Sequence, residues 1–179
     1  MVTRTYYSII LSFNMLLEEN DFDKITVEMI IKKAGIGRST FYRYFKDKYD
    51  VMNSNYKILI SYLSSNSKCS NYKELLYLIF EKAHKYVSIL KKSLNSNGYN
   101  SFSNYVYEYS YEQVLSITKQ NRNGEGFTPI EELQIDVFAR GICASFYNIA
   151  QQKYKVNSLE AADALFEMMP ASLKYYWWK

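Results

Sequence analysis

The feature that most constrains this chain is its punctuation. Long stretches with apolar residues at helical spacing are separated by three Ser/Asn/Gly-rich breaks, Ser64 to Asn71, Ser93 to Asn104 and Gln120 to Pro129. No stretch combines clear strand alternation with a second strand to pair with. Two prolines and six glycines in 179 residues supply too few turn formers for a β-sandwich or barrel. Apolar residues at 48% against 22% charged provide enough core to exclude wholesale disorder. The expectation is an all-α fold. Cys69 and Cys143 are too few for a disulfide framework or a zinc site and read as unpaired thiols.

Apolar positions 6, 9, 10, 13, 16 and 17 predict an amphipathic first helix. Arg4 and the run from Tyr6 to Leu11 faintly imitate a secretion signal, but Asn14 interrupts it, Glu18 and Glu19 follow, and no small-residue cleavage site appears. No apolar run approaches the ~18–20 residues of a membrane span. A cytoplasmic protein is expected. Residues 72–94 carry one wide apolar stripe, and 105–118 reads as a helix despite its alternating Tyr-Val-Tyr-Glu-Tyr-Ser-Tyr start. Two further helices are predicted at 130–153 and 158–176, the second kinked or broken at Pro170. In the first of them Leu133, Val137, Gly141, Ala144 and Ser145 line one side, and Phe138, Ile142, Phe146 and Ile149 another. A helix apolar on two sides must be covered from two directions. Spacing alone leaves open whether that cover comes from the same chain or from a second copy.

The chemistry concentrates between Phe22 and Lys48. Thr26 suits a helix N-cap, a short helix follows over 27–34, and Gly35 suits the left-handed position that ends it. Ile36 dips inward and a second short helix starts near Gly37 or Arg38, which makes a helix-turn-helix. At about 100° per residue, Phe41 and Phe45 share the inner side of that helix. Ser39 and Arg43 point outward, with Arg38 and Tyr42 on one shoulder and Thr40 and Tyr44 on the other. Arginine, hydroxyl and phenol groups in that array can donate to phosphates and base edges. The net charge is only +4, yet from Lys24 to Lys48 seven basic residues stand against Glu28 and Asp47 alone. The mild global balance conceals a local basic patch.

The runs Ile25-Thr26-Val27, Ala34-Gly35-Ile36 and Thr40-Phe41-Tyr42-Arg43-Tyr44-Phe45-Lys46-Asp47-Lys48 resemble the DNA-binding domain of the tetracycline-repressor (TetR/AcrR) family over about residues 5–52. The resemblance implies a three-helix DNA-binding domain, placed at 1–48, and a C-terminal helical bundle at 49–179 for ligand binding and dimerisation through the last two long helices. It implies phosphate contacts from Thr26, Tyr42, Tyr44 and Lys48, base reading by Arg38, Ser39 and Arg43, and either role for Thr40. Two positions depart from the family pattern: Gly37 stands at the second helix's cap, where serine is frequent, and Tyr44 where histidine is frequent.

The implied function is a homodimeric, sequence-specific transcriptional regulator on an approximately palindromic operator, a repressor released by a small molecule, with the helix over 48–63 as lever. Tyr56, Tyr62, Phe80, His84, Tyr105, Tyr109, Phe146 and Tyr147 are the candidate pocket residues, and their aromatic character suits a planar or amphipathic ligand. A rival expectation is a regulator, an activator among the alternatives, controlled by a partner protein through a solid bundle or an exposed patch around Trp177 and Trp178. No paired carboxylates, nucleophile–base pair or metal cluster is legible, so neither an enzyme nor a cofactor or metal site is expected. His84, the single histidine, reads as structural or pocket-lining.

Overall fold

The computed structural model describes residues 4–66, 71–85, 87–94, 101–122 and 124–177, and among them every regular element is helical. Helix α1, Arg4–Glu19, buries Ile9, Ile10, Phe13, Leu16 and Leu17 on the face that its sequence spacing predicts. A 3-10 turn, Phe22–Lys24, inserts Phe22 beneath it and leads into α2, Val27–Ala34. The Thr26 hydroxyl accepts from the Met29 amide at 3.2 Å, satisfying one donor at the start of α2. Gly35 ends the helix with φ +64°. The Gly35 and Ile36 amides bond back to the carbonyls of Lys32 and Ile31, a closure that a side chain at position 35 would strain.

Helix α3, Arg38–Tyr44, is short and starts at Gly37 with no side-chain cap. Packing fixes it instead: Phe41 and Phe45 are buried, the Phe45 ring stacks on Tyr6 at 4.8 Å, and Phe41 lies 6.0 Å from Phe45. Helix α4, Lys48–Asn66, is opened by two aspartates. Asp47 accepts the Asp50 amide at 2.8 Å and Asp50 accepts the Lys46 amide at 3.0 Å. Its first turns bury Val51 and Met52 and its later ones Tyr56, Ile60 and Leu63. One continuous apolar core therefore runs from Ile9 in α1 to Leu173 near the C-terminus.

The single stripe expected over 72–94 is divided between α5, Tyr72–Lys85, and α6, Val87–Leu94. The predicted helix 105–118 extends to Phe102–Asn121 (α7), capped by Ser101. Helix α8 runs Pro129–Ala150 behind a Thr128/Glu131 capping box. It stops short of the expected residue 153 because Gln152 turns to φ +55°. Pro170 breaks the last segment into α9, Ser158–Met168, and α10, Ala171–Trp177. α5 packs along α9 and α7 along α8. Arg122 and Glu131, both largely shielded, form an ion pair at 2.8 Å that ties the end of α7 to the start of α8.

Candidate nucleic-acid interface and effector cavity

Five of the residues assigned to DNA from the sequence come out exposed, Thr26 at the cap of α2 and Arg38, Ser39, Tyr42 and Arg43 on α3. Thr40 and Tyr44 are half-buried on the shoulder, and the Tyr44 ring packs edge-on against Tyr6 at 6.3 Å. The Arg43 guanidinium lies 5.3 Å from the Tyr44 ring centre and that of Arg38 5.6 Å from Tyr42. Such planar contacts limit the wandering of long side chains. The Thr26 hydroxyl is engaged only as an acceptor by its cap, so its proton remains able to donate.

Two features were not legible in the α3 pattern. Glu28, one helix earlier, accepts a hydrogen bond from Arg38 at 2.9 Å, so a carboxylate does sit against the basic face. Lys48 differs from the phosphate-contact expectation. Its ammonium donates to the carbonyls of Phe22, Asp23 and Ile25 at 2.8, 3.2 and 2.9 Å and lies 4.4 Å from the Phe22 ring. An ammonium has three donors, and all three are taken by the turn before α2. Partial burial holds the Lys48 ammonium below its usual pKa, opposed by Asp23.

The model of bacterial regulatory proteins of the tetR family matches residues 14–54, the stretch from mid-α1 to early α4 that holds this whole array. Residues 14–54 are a helix-turn-helix segment of the tetR type. Solved structures share the fold along almost its full length. The dihydroxyacetone kinase operon activator DhaS is 20% identical at a TM-score of 0.65, covering 97% of this chain and 98% of its own. A TetR transcriptional regulator from Streptococcus agalactiae is 22% identical at 0.62, with 94% of each chain covered. One from Rhodococcus is 12% identical at 0.59, covering 96% and 97%. No curated protein matches by sequence. The matched segment is the helix-turn-helix of bacterial regulatory proteins, and the likeness of the remaining helices to these structures is one of fold. No helix of the described residues is long and apolar enough to cross a membrane.

Above the TetR-family head lies a cavity of about 360 Å³, near the lower end for small-molecule sites. Of the pocket residues expected from the sequence, Tyr56 and Phe146 line it. Phe80 stacks behind Phe146 at 5.2 Å, and Tyr105 and Tyr109 pack edge-on to Tyr56 at 6.2 and 5.7 Å. His84 is used structurally: Nδ1 lies 2.9 Å from the Phe80 carbonyl and 3.1 Å from Ser158 Oγ, bridging α5 to α9. Tyr62 is 60% exposed, away from the cavity, and Tyr147 also faces outward. Sequence reasoning missed the α1 wall, Leu11, Asn14 and Leu17, and the Asn14–Asn55 amide pair, whose two reciprocal bonds measure 3.3 and 2.9 Å.

Burial pushes the Tyr56 and Tyr72 phenols far above their usual range and Tyr105 up to about 12. All three are therefore neutral hydrogen-bonding groups near pH 7. Cys143 is a free thiol, raised by burial, 3.2 Å from the Ser103 carbonyl. Cys69 and Trp178 lie outside the described residues, as does the Trp177 side chain.

Proposed function

We infer that this protein is a homodimeric repressor whose α3 enters a major groove in each half of an approximately palindromic operator, and that a small ligand in the junction cavity lowers its affinity for DNA. Residues 1–48 act as the reading unit and 49–179 as the ligand-binding and dimerising unit, with α4 between them. What supports the DNA contact is the outward array on α3, anchored from behind by two buried phenylalanines. Arg38, Ser39 and Arg43 read base edges, Thr40 serves bases or backbone, and Thr26, Tyr42 and Tyr44 hold phosphates. Lys48 contributes by fixing the turn before α2, not by touching phosphate.

The dimer is supported by an uncovered stripe on α8. Leu133 and Val137 are 63% and 60% exposed while Phe138, Ile142 and Phe146 on the other side are buried. On α9, Met168 at 72% continues an apolar surface with Leu159 and Ala164. Two copies meeting through these helices hold two recognition helices at a fixed spacing. A ligand that favours a different spacing shifts the population away from DNA.

A second reading, an activator governed by a partner protein, is favoured by the full-length likeness to an operon activator. The apolar cavity favours the small-molecule reading over it. Titration of the purified protein against DNA from upstream of its own gene, by fluorescence anisotropy at several salt concentrations, tests the shared core of both. A sequence-preferring complex that weakens with salt is expected. Binding indifferent to sequence and to Arg38→Ala plus Arg43→Ala overturns it. A reporter under that DNA then separates repression from activation.

A further inference from the structure

One wall of the junction cavity is the reading head's own first helix. Leu11, Asn14 and Leu17 of α1 line it together with Asn55 of α4 and Leu90 and Ser93 of α6. The walls are apolar apart from the Asn14–Asn55 pair, the Tyr56 phenol, the Ser93 hydroxyl and a rim where Glu18 and Lys82 bring opposite charges. The two rim charges are of opposite sign, so together they offer no net attraction to a charged ligand of either sign. The amide pair, in contrast, offers both a donor and an acceptor to a neutral group.

The same helix α6 holds α1 directly. The Lys92 ammonium donates to the carbonyls of Leu17 and Glu18 at 2.8 and 2.9 Å. These carbonyls belong to the last turn of α1, where the helix supplies no amide for them and where a cation also complements the negative end of the helix. Lys92 is adjacent to Ser93 and two residues from Leu90, both in the cavity wall. Displacing α6 from the cavity therefore draws the ammonium away from α1.

We propose, on the basis of the DNA-reading function above, that this cavity takes an uncharged ligand with an apolar body and one amide- or hydroxyl-like end, and that its occupancy reaches the head through α6 by loosening the Lys92 cap on α1. Lys92 is a positioning residue in this scheme; it does not touch the ligand. The route adds to the lever of α4 a second connection, between the bundle and the head's first helix.

The experiment uses the full chain, with neutral N-phenylnaphthylamine and anionic anilinonaphthalene sulfonate as fluorescent probes. The neutral probe binds more tightly than the anionic one and speeds hydrogen exchange of the amides of residues 18–20. It also lowers affinity for a duplex selected from random DNA by roughly tenfold, an ordinary allosteric coupling. Lys92→Met binds the neutral probe as wild type does, shows fast exchange at 18–20 with or without probe, and loses the probe's effect on DNA affinity. Lys92→Arg restores the response.

Failure to bind the neutral probe, or preference for the anionic one, overturns the ligand class. Wild-type exchange at 18–20 that ignores bound probe, or a Lys92→Met protein that responds as wild type does, overturns the route. Should Lys92→Met not fold, wild-type exchange together with Lys92→Arg decides. The exchange measurement needs no DNA. Loss of DNA binding with an intact exchange response counts against the regulator function alone, and intact DNA binding with no exchange response counts against the route alone.

Discussion

Lys48 and Phe22 meet twice: the ammonium donates to the Phe22 carbonyl at 2.8 Å and sits 4.4 Å from the centre of its ring. The first residue of α4 thereby holds the turn on which α2 begins. Lys48→Met keeps most of the apolar stem and abandons three carbonyls. A loss of about 1–2 kcal/mol in urea unfolding is expected, while the salt slope of DNA binding stays near that of wild type, because a phosphate contact is not removed. A slope smaller by about one counterion would return Lys48 to the phosphates.

Glu28 occupies the Arg38 guanidinium at 2.9 Å with both side chains mostly exposed. Exposed pairs of this kind contribute little to stability, so Glu28→Gln should change the unfolding free energy by no more than about 0.5 kcal/mol. Affinity for DNA of any sequence should rise several-fold, with the larger gain at low salt. Unchanged affinity in anisotropy titrations would mean that Arg38 does not face the duplex.

Gly37 caps α3 without a side chain, and a Cβ built on it meets nothing within 4 Å. Gly37→Ser supplies the missing acceptor at an ordinary negative φ of −83°. A gain of a few tenths of a kcal/mol in stability is expected, with operator affinity equal to or above that of wild type. A fall in affinity would show that the α3 start must remain loose to dock.

Val137 is 60% exposed amid the apolar stripe of α8. Val137→Glu places two carboxylates near one another if two copies meet there, and sedimentation velocity should show a shift from dimer to monomer. Circular dichroism should be unaltered, because the residue takes no part in the monomer's core.

Tyr105 is shifted by burial from an ordinary phenol value of 10.0 to about 12, and Tyr56 and Tyr72 are shifted further. The unfolded chain therefore releases these protons at lower pH than the folded one does. Stability is fully present below about pH 10 and falls as pH rises toward 12 and beyond. An alkaline titration should show the exposed tyrosines ionising first, followed by a cooperative step in which loss of helix and ionisation of the buried phenols coincide. Smooth ionisation with helix retained would contradict the burial.

Much of the reading head was legible because it is local. The Thr26 cap, the Gly35 stop and the inward pair Phe41 and Phe45 each follow from residues within a few positions of one another, where helix geometry leaves little choice. The break at Pro170 was legible for the same reason. The division of 72–94 into α5 and α6 was not, because the apolar stripe continues across both.

Sequence by itself determined the helical class, the helix-turn-helix and the outward face of α3, since backbone hydrogen bonding and side-chain periodicity act over one or two turns. Tertiary structure alone decided the rest. It turned Lys48 and Lys92 inward onto carbonyls 23 or more residues away in sequence, brought Glu28 against Arg38, and put Tyr62 outside while making α1 a cavity wall. A long cationic or phenolic side chain can reach several environments at similar local cost. Which one it occupies depends on partners that the fold, rather than the neighbouring sequence, brings within reach.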